Sequence, residues 1–439
     1  MAHRGILASL ASKDQTMLFD YSFQTYRPII PNIALFLEFM KSKFPNLFTL
    51  TFFPLGHFAV DSPGGALWLL VPAMALAWGL SPAEAGFIIT AHQLGAGMGY
   101  LPAGILGDRI GNRNMLLLVS IFWVVLGYLA ASVSPGYWIV VPLLVLAAAG
   151  DAAWHPIATG AMAQQMPQRR AYALSIHLTG GIMAEVLVPL ASGFLLSIMD
   201  WRNVLQLSVL PAFLLGIALI LLRKHVPKKS GTRLSRDDII NLIASWRKPL
   251  GLGVFSLVIV YNMAFTGLLA MTAMFLQNVH SYSVAASGAI FAGMLLGGAI
   301  VAPFLGKLAD QSSRKKVLIV SLGIAAISSA TAAFAGNSAV VISALIIASS
   351  ALNGVRPVLL AIGIEISGQR ESTTLGIMYA AMDGIGALGA VLAGITGTVD
   401  LRFAILFVAA FSTVSTFIIA ILPIHTKSPH YRQDESPRH

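Results

Sequence analysis

Histidines and carboxylates recur four residues apart inside stretches that are otherwise apolar: His57 with Asp61, and Asp151 with His155. On an α-helix, residues four apart share one face. His177 and Glu185 lie eight apart, a rotation of about 80° at 3.6 residues per turn. Three segments thus present imidazole and carboxylate on one side. Imidazole titrates near neutral pH, so such a set can carry protons or hold a charged substrate. Arg356 and Asp383 add further charges in apolar surroundings, and His92 adds another imidazole. A charged side chain at mid-bilayer costs at least ~3 kcal/mol, so each requires a use or a partner. The plainer alternatives are pairing within one helix for Asp151 and His155, simple packing for His92, and a helix break at Met382, Asp383 and Gly384. Glu365 and Glu371 fall at the ends of apolar segments and read as interfacial.

The elements that must position these residues are membrane spans. Of 439 residues, 56% are hydrophobic and 10% charged, with a mean hydropathy of +0.78. Soluble domains carry about 25% charged residues. Apolar runs long enough to cross a hydrocarbon core of about 30 Å recur along the chain, without the short alternating strands of a membrane β-barrel. The runs predict twelve helices, at 51–78, 83–106, 115–134, 137–162, 171–199, 203–222, 250–277, 284–305, 317–335, 338–362, 373–399 and 402–423. The chain has no cysteine, which excludes disulfides, thiolate metal sites and cysteine nucleophiles. No nucleophile–base set, phosphate-binding loop or metal-ligand spacing is evident, so enzymatic activity and a resident cofactor are not expected.

The net charge of +10 could suggest nucleic acid, but its distribution points to topology. Of the 28 Lys and Arg, all except Arg202, Arg402 and Arg356 fall on one side of the predicted bilayer. This asymmetry is the positive-inside pattern, and it predicts that both termini are cytoplasmic. The expected organisation is an N-terminal extension over 1–50, a six-helix half over 51–222, a basic linker over 223–249, a second half over 250–423 and a tail over 424–439. The linker is expected to hold a short surface helix from Ser235 to Trp246. The extension has no recognisable cleavable leader.

The halves repeat at an offset of 200 to 202 residues. Gly86 matches Gly288, His155 matches Arg356, and Asp200 and Arg202 match Asp400 and Arg402. The segment after span 2 contains Gly104, Asp108, Arg109, Gly111 and Arg113, and its second copy contains Gly306, Asp310 and Arg314. Glycines allow a tight turn, and Asp108 can pair with Arg113 or face the positive end of a helix. Such contacts would latch one end of the helices in one state and release it in another. In the second copy Ser313 replaces a glycine, which weakens its expected latch role.

Parallel six-helix halves with this glycine–acid–arginine loop resemble the major facilitator superfamily. The resemblance covers about 51–423 and implies an all-α fold of two pseudo-symmetric halves. It implies a central cavity lined by spans 1, 4, 7 and 10, to which span 7 would contribute Tyr261 and Asn262. His57, Phe58 and Asp61, with Trp154, His155 and Pro156 and with Ser175 to Gly181, further resemble the fosmidomycin-resistance-like branch. Two features depart from drug antiporters. Leu146 stands where an arginine often precedes Gly150, and Pro189 follows Val188 in span 5 in place of a Gly-Pro pair.

The expected function is secondary transport of a small organic solute, with proton-coupled efflux favoured. Uptake of an organic anion, with Arg356 and the histidines as ligands, is the alternative within transport. A non-transporting receptor or assembly factor on the same scaffold is the alternative outside it. Protons, a small-molecule substrate and the lipid bilayer are the expected partners, with no nucleic acid. A monomer in the bacterial inner membrane is the expected setting.

Overall fold

The computed structural model describes residues 47–110, 112–166, 168–222, 244, 246–367 and 371–424. The side chains at 108, 163, 170, 171, 367 and 371–373 fall outside this set. Gly111, the side chain of Asp108, the extension before 47, most of the linker with its expected surface helix, and nearly all of the tail therefore lie outside the described residues.

The described chain is helical throughout. The first half comprises α1 (Leu47–Trp78), α2 (Pro82–Arg109), α3 (Arg113–Ser132), α4 (Tyr137–Gln165), α5 (Arg170–Leu195) and α6 (Trp201–Leu222). The second comprises α7 (Pro249–His280), α8 (Val284–Gln311), α9 (Arg314–Phe334), α10 (Ser338–Ser367), α11 (Glu371–Asp383), α12 (Leu388–Gly397) and α13 (Leu401–Ile421). Eleven spans are long and apolar enough to cross a bilayer. The remaining one, α2, has 28 residues but carries His92, Gln93, Tyr100 and many small residues, which lower its hydropathy. Span 11 is broken: α11 stops at Asp383, a 3-10 turn covers Ile385–Ala387, and α12 resumes at Leu388. The Asp383–Gly384 break expected from sequence is thus present.

The repeat is visible in the helix caps. A side-chain oxygen at the N-cap satisfies an amide that the first turn leaves unpaired. Ser81 and Glu84 form a reciprocal capping box on α2, and Ser283 accepts from the Ala286 amide on α8. Asn112 and Ser313 cap α3 and α9 in the same way. The repeated Asp–x–Arg pairs have a related purpose: Asp200 Oδ1 and Asp400 Oδ1 each accept from the amide two residues on, at 2.8 Å.

The halves meet closely at the end opposite the basic loops. A Cβ on Gly86 would lie 2.3 Å from the Ala390 carbonyl oxygen, and one on Gly394 would lie 2.3 Å from that of Pro82. Gly193 and Gly288 bring α5 against α8, where a Cβ on either would stand 2.8 Å from the other's Cα. Thr90 Oγ1 donates to Ala387 O at 2.8 Å and accepts from the Val391 amide at 3.2 Å, joining α2 to the broken span. At the basic end, one arginine tie lies within each half. Arg113, 4% exposed, donates to Gly160 O at 3.0 Å and to Gln164 Oε1 at 2.5 Å. Arg314 pairs with Glu365 at 2.5 Å and Asp310 at 3.2 Å. The second tie repeats the first at an offset of 201 residues, with glutamate in place of glutamine. Glu365 is therefore a structural partner of Arg314 rather than a free interfacial acid. Arg109 is exposed on the last turn of α2.

Candidate functional site

The site begins with how closely α5 approaches α1. A Cβ on Gly180 would sit 2.0 Å from Pro54 O, and one on Gly181 would sit 2.7 Å from His57 Nε2. Only glycine allows this contact, and it seats His57 against His177. The rings stack at 4.4 Å, His57 Nδ1 donates to His177 O at 3.0 Å, and His177 Nδ1 donates to Phe53 O at 3.2 Å. Trp154 of α4 closes the other side, 5.6 Å from the His177 ring.

Asp61 connects two helices. Its Oδ2 lies 3.2 Å from His57 Nε2 one turn earlier, and its Oδ1 lies 3.3 Å from His155 Nε2 on α4. The same His155 nitrogen stands 3.4 Å from Asp151 Oδ1. The four-residue spacings seen in the sequence therefore converge on one cluster. Its ligand-type atoms come from α1, α4 and α5, so no local spacing could have displayed it as a possible metal site.

A cavity of about 200 Å³ lies between the halves. Asp61, Asp151, His155 and Glu185 face it from the first half, and Asn262, Arg356 and Asp383 from the second. Asp61 and Asn262, like His155 and Arg356, occupy matching positions at an offset of 201 residues. One face thus carries titratable carboxylate and imidazole, while the matching positions opposite carry amide and a permanent cation. The Arg356 guanidinium lies 5.5 Å over the Tyr379 ring, and no acid within 4 Å pairs with it among the described residues. Asn262 Nδ2 donates to Met382 O at 2.7 Å, holding the break in span 11 open to the cavity.

Some expected pathway residues stand elsewhere. Tyr261 is fully buried and donates to Leu352 O at 2.8 Å, so it packs α7 on α10 and does not line the cavity. His57 and His177 sit behind Asp61 and are also absent from the lining. His92, expected to be a packing residue, borders the cavity and is 2.7 Å from the Tyr128 hydroxyl. Spans 2, 5, 8 and 11 contribute to the wall beside spans 1, 4, 7 and 10. Tyr100, Gln93 and Trp68 also line it and were not expected. Tyr100 and Gln93 are polar groups in span 2, and the low hydropathy of that span was their available signal. Tyr379 had none.

Several known proteins are similar to this chain. A gallate transporter from Pseudomonas putida is 30% identical over 42% of this chain and 40% of its own. A multidrug resistance protein, MdtG, from Klebsiella pneumoniae is 28% identical over 50% of this chain and 54% of its own. The chain spans about two thirds or less of the length of the first curated relatives it matches. A bacterial homologue of the human lysosomal transporter Spinster, in an inward-facing unoccupied conformation, shares the fold with a TM-score of 0.76. It is 16% identical, over 87% of this chain and 98% of that one. The family model of the Major Facilitator Superfamily matches residues 55–294 and 254–438. With its membrane-length helices, duplicated halves and central cavity, this chain belongs to the Major Facilitator Superfamily.

Proposed function

We propose that the protein is a proton-coupled secondary transporter of a small organic anion. The observation that carries this reading is the contrast across the cavity. Asp61 and His155 face it from one half, and Arg356 faces it from the other with no ion-pair partner among the described residues. A buried charge left unpaired is costly, and a guanidinium fork matches a carboxylate in two parallel bonds. The cavity lies below the ~300–1,000 Å³ of common small-molecule pockets, which favours a compact metabolite. The gallate transporter is named for such a carboxylate.

Asp61 is the proposed proton carrier. Ionised, it bridges His57 on α1 and His155 on α4. Protonated, it releases that bridge, and the two helices are free to shift as the halves rock. On this proposal the positive-inside pattern of the basic loops puts the closed end outside and turns the cavity toward the cytoplasm, with both termini inside a bacterial inner membrane and the monomer as the working unit. In this reading the Arg113 and Arg314 ties latch the inner ends of each half. Asp108, Arg109 and Gly111 belong to the first latch.

Efflux, the direction favoured by the sequence, remains the second reading. MdtG is named for multidrug resistance, and His57, Asp61 and the Trp154–Pro156 segment carry the likeness to the fosmidomycin-resistance-like branch. Both directions use the same cavity. The test is uptake and efflux of a panel of aromatic and aliphatic carboxylates and cationic drugs in proteoliposomes, with and without a pH gradient. Gradient-stimulated movement of carboxylates supports the proposal, and movement of cations alone removes it.

A further inference from the structure

Hydrogen bookkeeping in the His57–Asp61–His155–Asp151 cluster does not close. A carbonyl oxygen only accepts, so His57 Nδ1 and His177 Nδ1 each hold their proton toward a backbone carbonyl. Neutral rings then present bare lone pairs at Nε2. The lone pair of His57 faces Asp61 Oδ2 at 3.2 Å, acceptor against acceptor. His155 Nε2 has at most one hydrogen, yet two carboxylate oxygens approach it, at 3.3 and 3.4 Å. Among the described residues, those oxygens, Oδ1 of Asp61 and of Asp151, are buried without a hydrogen-bond partner, as is Nε2 of His177, a residue only 1% exposed. With neutral imidazoles the cluster has more lone pairs than hydrogens, a shortfall that added protons or a bound cation would fill.

A cation with several coordination sites resolves that excess, and the spacing suits one. Tetrahedral sites with bonds of about 2.0–2.1 Å to nitrogen and oxygen place neighbouring ligand atoms about 3.3 Å apart. The two edges that meet at His155 Nε2, to Asp61 Oδ1 at 3.3 Å and to Asp151 Oδ1 at 3.4 Å, match that spacing, while His57 meets the other Asp61 oxygen at 3.2 Å. Ligand atoms of Asp61, Asp151 and His155 lie within 4.8 Å of one another, as do those of His57, His155 and His177. His57, fixed by its Nδ1 bond to a backbone carbonyl, touches the second oxygen of Asp61 as the outer contact that orients a metal-binding carboxylate. Mixed imidazole and carboxylate donors without thiolate favour zinc, cobalt, nickel or manganese over calcium, magnesium or copper(I).

We propose that Asp61, Asp151 and His155 form a binding site for a divalent first-row transition cation of the zinc type, with His57 holding the second oxygen of Asp61 and His177 buttressing His57. The inference goes beyond transport of an organic solute and does not rest on it, because equilibrium binding is measured without any gradient. The test uses the full chain without an affinity tag, purified in detergent, stripped with chelator and titrated with Co²⁺ alone. The expected result is an intense visible absorption band that saturates at one Co²⁺ per chain and is bleached by Zn²⁺. Asp61→Asn and His155→Gln should each weaken binding more than ~10-fold, while His280→Gln, at the distant end of α7, should leave it unchanged. No saturable band in the unmodified chain overturns the proposal, whatever the folding of the variants. A band kept in both cluster variants, or lost in His280→Gln, also overturns it.

Discussion

Substituting Gly86 by alanine should open the end of the transporter that the structure holds shut. The new Cβ would lie 2.3 Å from Ala390 O and 2.9 Å from its carbonyl carbon. Packed atoms prefer ~3.5–4.0 Å, so α2 and α12 must part by about an ångström. Overpacking of this kind costs ~1–3 kcal/mol, and only the state in which the two helices touch bears that cost. At about 1.4 kcal/mol per tenfold, the ratio of open to closed states should rise roughly 5- to 150-fold. Alanine is also a better helix former than glycine by about 1 kcal/mol, so neither half should lose stability. The assay is labelling of Ile89→Cys, placed in a chain otherwise without cysteine, by a membrane-impermeant maleimide from the outer face. Ile89 lines the cavity and is 2% exposed in the closed arrangement. Adding Gly86→Ala should accelerate labelling within the same range. An unchanged rate with unchanged stability would refute the idea that this glycine contact seals the outer end.

Three further outcomes follow from the site and its supports. Arg356→Lys should weaken binding of a carboxylate substrate by about 10- to 150-fold, the worth of a charge-assisted hydrogen bond, as read by equilibrium binding; wild-type affinity would show that the guanidinium fork is not used. Glu365→Gln should change thermal stability by less than ~1 kcal/mol, because the pair is partly exposed and Gln164 occupies the matching place in the first half; a collapse in melting temperature would contradict this. A single cysteine at Gly336 should react from outside intact cells and one at Ser312 only after permeabilisation, since they stand at opposite ends of α9 with the basic cluster beside Ser312; the reverse pattern would invert the orientation.

The fold was legible because membrane insertion leaves few options. Long apolar runs and the repeat at an offset of 200 to 202 residues could both be read along the chain, whereas the caps at Ser81, Ser283 and Asp400 emerged only in the structure. The Asp61–His155 contact was half legible: the four-residue spacings put acid and imidazole on one face of each helix, but did not show that α1 and α4 face each other there. The His57–His177 stack depends on Gly180 and Gly181, which let α5 approach α1. The Arg314–Glu365 pair was missed because Glu365 sits on a different helix, 51 positions away. Tyr261 was placed on the pathway by its span, whereas the rotation of α7 turns it into the α10 interface. Helix rotation and cross-half contacts are set by packing between distant segments, which periodicity along one segment does not encode.

The central claim is that Asp61 couples proton movement to a cavity whose anion ligand is Arg356. The direct measurement is pH-gradient-driven transport by Asp61→Asn in proteoliposomes, beside substrate binding by the same preparation at equilibrium. Asparagine keeps the shape of the side chain and removes only the ionisable group. The account predicts that gradient-driven transport is abolished while binding stays measurable. Full gradient-driven transport by Asp61→Asn would contradict it and pass the role to Glu185, Asp151 or Asp383.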